Sequence, residues 1–227
     1  MPSVEASSTL GDDCNLRLVR EGALFVVIRD GERVANGAGD GVDELVAEIE
    51  HAIAELSPTH VFVHAGVVGT PDGAIVIPAT SGAGKTTLVA AFLRAGATYY
   101  SDEYAVLDAD GNVHPYPRRL GIRDDEGRQR PTDAAEFGAP TATEPSPVVA
   151  VLALRRGTRT RLRPLTAGQS VVKMLEHTVI AQIDPPRALG SLSAAAQDAV
   201  GFTGTRGEAD VFARNFLRRA PWRRAQA

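Results

Sequence analysis

The 227-residue chain is short of the features that mark several large protein classes. It has one cysteine, Cys14, so no disulfide can form within it, and no Cys/His spacing suggests zinc. Its longest purely apolar run, residues 148–154, is seven residues long, against the roughly twenty that a membrane-spanning helix needs. Neither sign of charge dominates. Lys plus Arg 24 against Asp plus Glu 28 gives −4, which offers no general electrostatic reason to expect nucleic acid or an anionic membrane as partner. The first fifteen residues hold no basic residue and no apolar stretch of the signal-peptide type, so a cytoplasmic location is expected. Lysine is nearly missing: only Lys85 and Lys173 occur, and the other 22 basic residues are arginine. A lysine inside a Gly-rich loop is then hard to assign to chance. What is present suffices for a core, since 44% apolar residues exclude a disordered chain and the length fits one domain with a small appendage.

Along the chain, residues 1–15 are polar and aperiodic and read as a loose terminus. Strands are expected at 16–20 and 23–29, with Asp30-Gly31 as a hairpin turn and a short return through Val34. From Asp40, placed to cap, Val42, Leu45, Val46, Ile49, Ile53 and Leu56 fall on one helical stripe that ends before Pro58. Residues 1–58 thus form an antiparallel β element plus helix, and 59–227 form the main domain. There, strands at 60–68 and 74–77 flank the turn Thr70-Pro71-Asp72-Gly73, and a buried helix at 88–93 follows a glycine loop. Short strands at 98–101 and 104–107 come next, then a patternless stretch, 118–147, read as a lid or linker. A buried strand at 148–154 is expected to pair with 160–165, and Thr166 with Gln169 makes a capping box for a helix. Val211, Phe212 and Phe216 suggest a last helix ending before Pro221. The class is α/β, a mixed sheet with flanking helices.

The chemistry concentrates at Ala79-Thr80-Ser81-Gly82-Ala83-Gly84-Lys85-Thr86-Thr87. Small residues let consecutive backbone N–H groups turn toward a phosphate, with a helix N-terminus behind them. Ser81, Gly82, Ala83, Gly84 and Thr87 would cradle a nucleotide, Lys85 would meet the β- and γ-phosphate oxygens, and the Thr86 hydroxyl would complete a magnesium shell. The usual G-x-x-x-x-G-K-[ST] pattern has glycine where this chain has Ala79. A strand before the loop and a helix after it supply the expected context. Asp102 and Glu103 follow Lys85 by 17 and 18 residues, and His64 precedes it by 21. All three can lie at one end of a sheet near the γ-phosphate.

The order His64-Ala65-Gly66-Val67, then Ser81-Gly82-Ala83-Gly84-Lys85-Thr86, then Ser101-Asp102-Glu103, resembles the catalytic domain of HPr kinase/phosphorylase and its looser relatives over residues 60–110. The resemblance implies a P-loop kinase core akin to phosphoenolpyruvate carboxykinase. It implies Asp102 as the base that accepts a hydroxyl proton, His64 oriented against it, and Glu103 on the metal, with ATP and Mg2+ as donor and cofactor. Ala79 in place of glycine, Glu103 in place of a second aspartate, the missing longer signature, and too short a stretch before His64 for the family's N-terminal domain point away from HPr itself as acceptor.

The expected function is therefore an ATP-dependent kinase acting on a hydroxyl, most plausibly a serine of a peptide or small protein, with self-association left open. A nucleotide-binding or ATP-hydrolysing module without an acceptor is the alternative. A transporter-type ATPase needs a Leu-Ser-Gly-Gly-Gln signature, which the chain lacks. Arg118, Arg119 and Arg123 are candidates for the phosphates or simply surface charge. Arg159, Arg161 and Arg163 alternate, giving either a basic face for an acidic peptide or the wet side of an edge strand. The tail of Arg218, Arg219, Trp222, Arg223 and Arg224 reads as solvated.

Overall fold

The computed structural model describes residues 5–9, 15–21, 24–38, 42–79, 84–123 and 129–225. It divides into two compact units, Met1–Pro58 and Thr59–Ala227. The first is an antiparallel meander of β1 (Glu5–Thr9), β2 (Asn15–Glu21), β3 (Leu24–Arg29) and β4 (Glu32–Ala38), followed by α1 (Val42–Leu56). Asp30 and Gly31 both take positive φ, 52° and 90°, the conformation of the tight hairpin turn that their identities predict. Leu16, Leu18, Val27 and Ala52 form this unit's core, with Leu45 and Ile49 packed on it. Residues 5–9 form a strand where a loose terminus was expected. β1 is held by backbone pairing to β2, and a Ser/Thr segment lacks the apolar alternation that would reveal it. Asp40, the expected cap, lies outside the described residues.

The second unit runs β5 (Val61–Thr70), β6 (Gly73–Pro78), α2 (Lys85–Arg94), β7 (Thr98–Ser101), β8 (Tyr104–Leu107), β9 (Asn112–His114), β10 (Leu120–Arg123), β11 (Gln129–Thr132), β12 (Ser146–Arg156), β13 (Arg161–Leu165), α3 (Ala167–Leu175), α4 (Pro185–Ala196), β14 (Val200–Arg206), α5 (Ala209–Arg219) and α6 (Trp222–Ala225). The main sheet is mixed, in the order β13-β14-β12-β6-β5-β8-β9, with β7 also on β5. β6, β12 and β14 are parallel, while β5 and β13 run against them. Helices cover both faces, which is why β6 is buried at every residue. Ile75 and Ile77 point to the α2/α5 side, and Ala74 and Val76 to the α3/α4 side. None of the described helices is long and apolar enough to cross a membrane.

Several elements differ from the sequence expectation. The stretch 118–147 is not patternless: β10 and β11 pair as a hairpin, and Asp133 with Glu136 caps a short 3-10 turn, Ala134–Phe137. Leu120 is fully buried against the α2 core, and Ile122 packs there two residues on, a period too short to stand out among prolines and charges. β13 pairs with β14 rather than β12, because β14 enters between them. Its glycines hide it from an apolar pattern and also admit it. A Cβ on Gly201 would collide with Ser170 Oγ, and one on Gly204 with the Arg161 carbonyl. α4 opens on two prolines behind the Asp184 cap, an N-terminal arrangement that reads as loop. Trp222 is 2% exposed, and its N–H donates to Asp72 at 2.8 Å, so this part of the tail is core rather than solvated.

Phe92 on α2 meets Phe212 and Phe216 of α5 edge-on, each at 6.2 Å between centroids, and is fully buried. Phe92→Ala should therefore lower unfolding stability by about 3–5 kcal/mol, read as a shift of the urea midpoint.

Candidate functional site

α2 begins where Gly84 takes φ 87°, a left-handed conformation that glycine reaches without strain. Among the described residues no side chain caps the helix at Gly84 and no acid stands in its first turn, although the Asp102 carboxylate reaches the Thr86 hydroxyl there. Thr80, Ser81, Gly82 and Ala83 lie outside the described residues. The first turn lies directly on β5: a Cβ on Gly66 would come within 2.5 Å of Val89 Cγ2 and 3.2 Å of Lys85 Cγ. Gly66 is thus the residue that lets Lys85 lie flat on the sheet.

Lys85 is only 8% exposed, unusual for a lysine. Burial lowers its pKa, against the opposing pull of Glu103 and Asp102. Its Nζ lies 2.9 Å from His64 Nε2, and the same ring nitrogen lies 3.0 Å from Glu103 Oε1. One proton cannot serve both contacts. With Nε2–H directed at Glu103 the lysine cannot donate to that nitrogen; with Nε2 bare, it accepts from Lys85 and turns a lone pair toward the carboxylate. The two contacts therefore compete for one ring nitrogen, and an anion that takes the Lys85 donors would leave Nε2–H committed to Glu103. Burial raises the Glu103 carboxyl, but the His64 hydrogen bond and the Lys85 charge outweigh it and hold its pKa below the usual value.

Asp102 and Glu103 occupy a tight turn between β7 and β8. The Ser101 hydroxyl, fully buried, accepts the N–H groups of Glu103 and Tyr104, both at 3.1 Å. The two acids then point to different surroundings. Glu103 faces His64 with its side chain 41% exposed. Asp102 is 8% exposed, and its Oδ1, buried near Gly66, has no hydrogen-bond partner among the described residues. Burial pushes its pKa up to about 6 from 3.8, partly offset by the Thr86 hydroxyl and the Lys85 charge. His64 was expected to orient Asp102. The structure sets it on Glu103 and places Asp102 with Thr86.

Arg206, at the end of β14, was not singled out by the sequence, where one arginine among 22 carries no signal. It is 4% exposed and donates to the carbonyls of Gly84 and Gly207, both at 3.2 Å, so it ties down the start of α2 from the opposite strand. The charge of Arg118 reaches Glu103, whereas Arg119 turns away to Asp133 at 3.1 Å. The Arg123 side chain lies outside the described residues. Among the described residues no group of three or more His, Cys, Asp or Glu forms a metal cage. The orphaned Asp102 Oδ1 beside a threonine hydroxyl does fit magnesium, which takes one or two protein ligands and completes its shell with substrate phosphates and water.

No family model, curated protein or solved structure matches the chain.

Asp102 gives a pH signature. Between about pH 4 and 6 the folded protein retains a proton that the unfolded chain has lost, so this group's contribution to stability falls as pH rises through that window and stays unfavourable above it. Asp102→Asn should raise stability at pH 7.5 by an amount of order 1–3 kcal/mol, with the gain shrinking toward pH 4 in urea titrations.

Proposed function

We propose that the chain is an ATP-dependent phosphotransferase with a P-loop kinase core of the HPr kinase/phosphoenolpyruvate carboxykinase type, acting on the hydroxyl of a serine in a peptide or small protein. The observation that carries this reading is the meeting of Lys85, His64, Asp102 and Glu103 at the N-terminus of α2. The parallel β6, the loop and α2 support it as the scaffold on which such sites are built. Use of ATP fits a cytoplasmic enzyme.

Lys85 binds the β- and γ-phosphate oxygens, joined by the backbone N–H groups of the first turn of α2. Thr86 and Asp102 would hold magnesium, which when bound neutralises phosphate charge during transfer. Asp102 has the pKa of a poised base, but its Oδ1 is closed to solvent and its carboxylate lies on the Thr86 hydroxyl beside the metal position, whereas the Glu103 side chain is 41% exposed. Geometry decides before pKa, so the base is Glu103, oriented by His64, and the two acids exchange the roles that the family resemblance implies. The acceptor oxygen bonds to the γ-phosphorus as the β–γ bridging P–O bond breaks. Its proton passes to Glu103, and the bond's electron pair leaves with ADP. The burial of Asp102 beside Thr86 is also what a nucleotide-binding module without an acceptor would show, and that alternative differs by giving no acceptor-dependent ADP release.

The test incubates the protein and γ-labelled ATP with HPr, with serine peptides and with small hydroxyl compounds, and follows the label. Lys85→Ala should abolish transfer and ATP binding. Glu103→Gln should lower kcat by about 10²–10⁴-fold with ATP binding retained, whereas Asp102→Asn should raise the magnesium concentration needed for half-maximal rate. Equal transfer by wild type and Lys85→Ala would refute the mechanism.

A further inference from the structure

A cavity of about 820 Å³ opens beside the loop, at the carboxyl ends of β6, β12 and β14, with β13 and α3 as its outer walls. That volume is within the usual range for a ligand site. Its charged lining is mostly basic, with Arg155, Arg159, Arg161, Arg163 and Lys173, and burial lowers the pKa of the His177 imidazole beside them, so that ring adds no charge near neutral pH. Glu176 is the one acid there, and it is already committed to Lys173 at 2.7 Å. None of the four arginines makes a side-chain hydrogen bond or ion pair among the described residues. Four exposed arginines elsewhere find carboxylates, Arg33 on Glu21, Arg94 on Asp210, Arg119 on Asp133 and Arg130 on Glu136, while Arg156, Arg214 and Arg219 form no ion pair among the described residues but are not gathered in one cavity. In a chain of net charge −4, four unpaired arginines facing one cleft repel one another and focus a positive potential into it.

Resting on the phosphotransferase reading, we propose that this cleft binds the acceptor, and that the acceptor is an acidic peptide segment whose carboxylates pair with Arg155, Arg159, Arg161 and Arg163. Three observations select this occupant over the nucleoside of ATP. The cavity lining includes no phenylalanine, tyrosine or tryptophan, and a base slot is mostly apolar and aromatic. The phosphates have their own donors at the start of α2, on the other face of the sheet from α3. The inner end of the cleft also abuts the backbone of β5 at His64, whose ring meets Glu103. The His64 N–H donates to the carbonyl of His177 at 2.8 Å, and the Ala79 N–H donates to the carbonyl of His64 at 3.4 Å, both partners being lining residues. An acceptor anchored on the arginines therefore leads toward His64 and Glu103. Pro164 removes a backbone donor from β13, which blunts that edge for strand addition and leaves recognition to the arginine side chains. Arg161 and Arg163 are thus both edge-strand charges and cleft walls.

The test measures fluorescence anisotropy of a labelled serine peptide flanked by glutamates and of its glutamine counterpart, with MgATP binding followed separately by calorimetry. The glutamate peptide should bind, weaken with added salt, and outbind the glutamine peptide. Arg161→Ala with Arg163→Ala should weaken it at least about tenfold while MgATP binding is unchanged, and Arg163→Glu should weaken it more than Arg163→Ala. Arg218→Ala with Arg219→Ala on α5 should have no effect. Equal binding of the two peptides, binding of neither, or a double variant that loses MgATP instead of peptide would overturn the proposal, the last assigning the cleft to the nucleotide. Peptide binding as expected with no MgATP binding by wild type would overturn the phosphotransferase reading and keep the cleft as an acidic-peptide site.

Discussion

The close approach of α2 to β5 governs the rest of the site. Gly66 has no side chain, so the first turn of α2 lies on the strand and carries Lys85 with it into a buried position. A buried ammonium is tolerated only with anionic or hydrogen-bonding company, which the turn at Asp102-Glu103 and the ring of His64 provide. Any side chain at Gly66 would lift the helix start away and separate the lysine from these partners. The site's electrostatics thus follow from a single backbone contact.

That contact also explains why two adjacent acids behave differently. Successive residues of a tight turn point to different sides, so one carboxylate is buried near Gly66 and Thr86 and the other faces the histidine. Burial raises the first, and hydrogen bonding with nearby positive charge lowers the second. Two groups of one chemical type are set apart by environment, a pattern common where proton transfer and cation binding occur side by side.

Much of this was legible in the sequence. The spacing of His64, Lys85, Asp102 and Glu103 allowed them to lie at one end of a sheet, and the buried strands, the helix at 88–93 that is apolar on nearly every side and the apolar set 211, 212 and 216 stand out. What stayed hidden has physical causes. Spacing shows that His64 can reach the acids, but only the turn geometry shows which one it meets. β14 carries glycines because neighbouring backbone crowds it, so packing erased the pattern that would announce it. Arg206 acts through backbone carbonyls of residues far off in the chain, a partnership with no local signature. The alternating arginines 159, 161 and 163 were visible as a stripe, while the cavity they face depends on α3 and β14 arriving from later in the chain.

The central claim is that Lys85 belongs to a nucleotide-phosphate site. With only two lysines in the chain, acetylation by an activated ester followed by mass spectrometry reads Lys85 and Lys173 separately. The account predicts that MgATP slows modification of Lys85 and leaves Lys173 unchanged. Equal modification of Lys85 with and without saturating MgATP would contradict it.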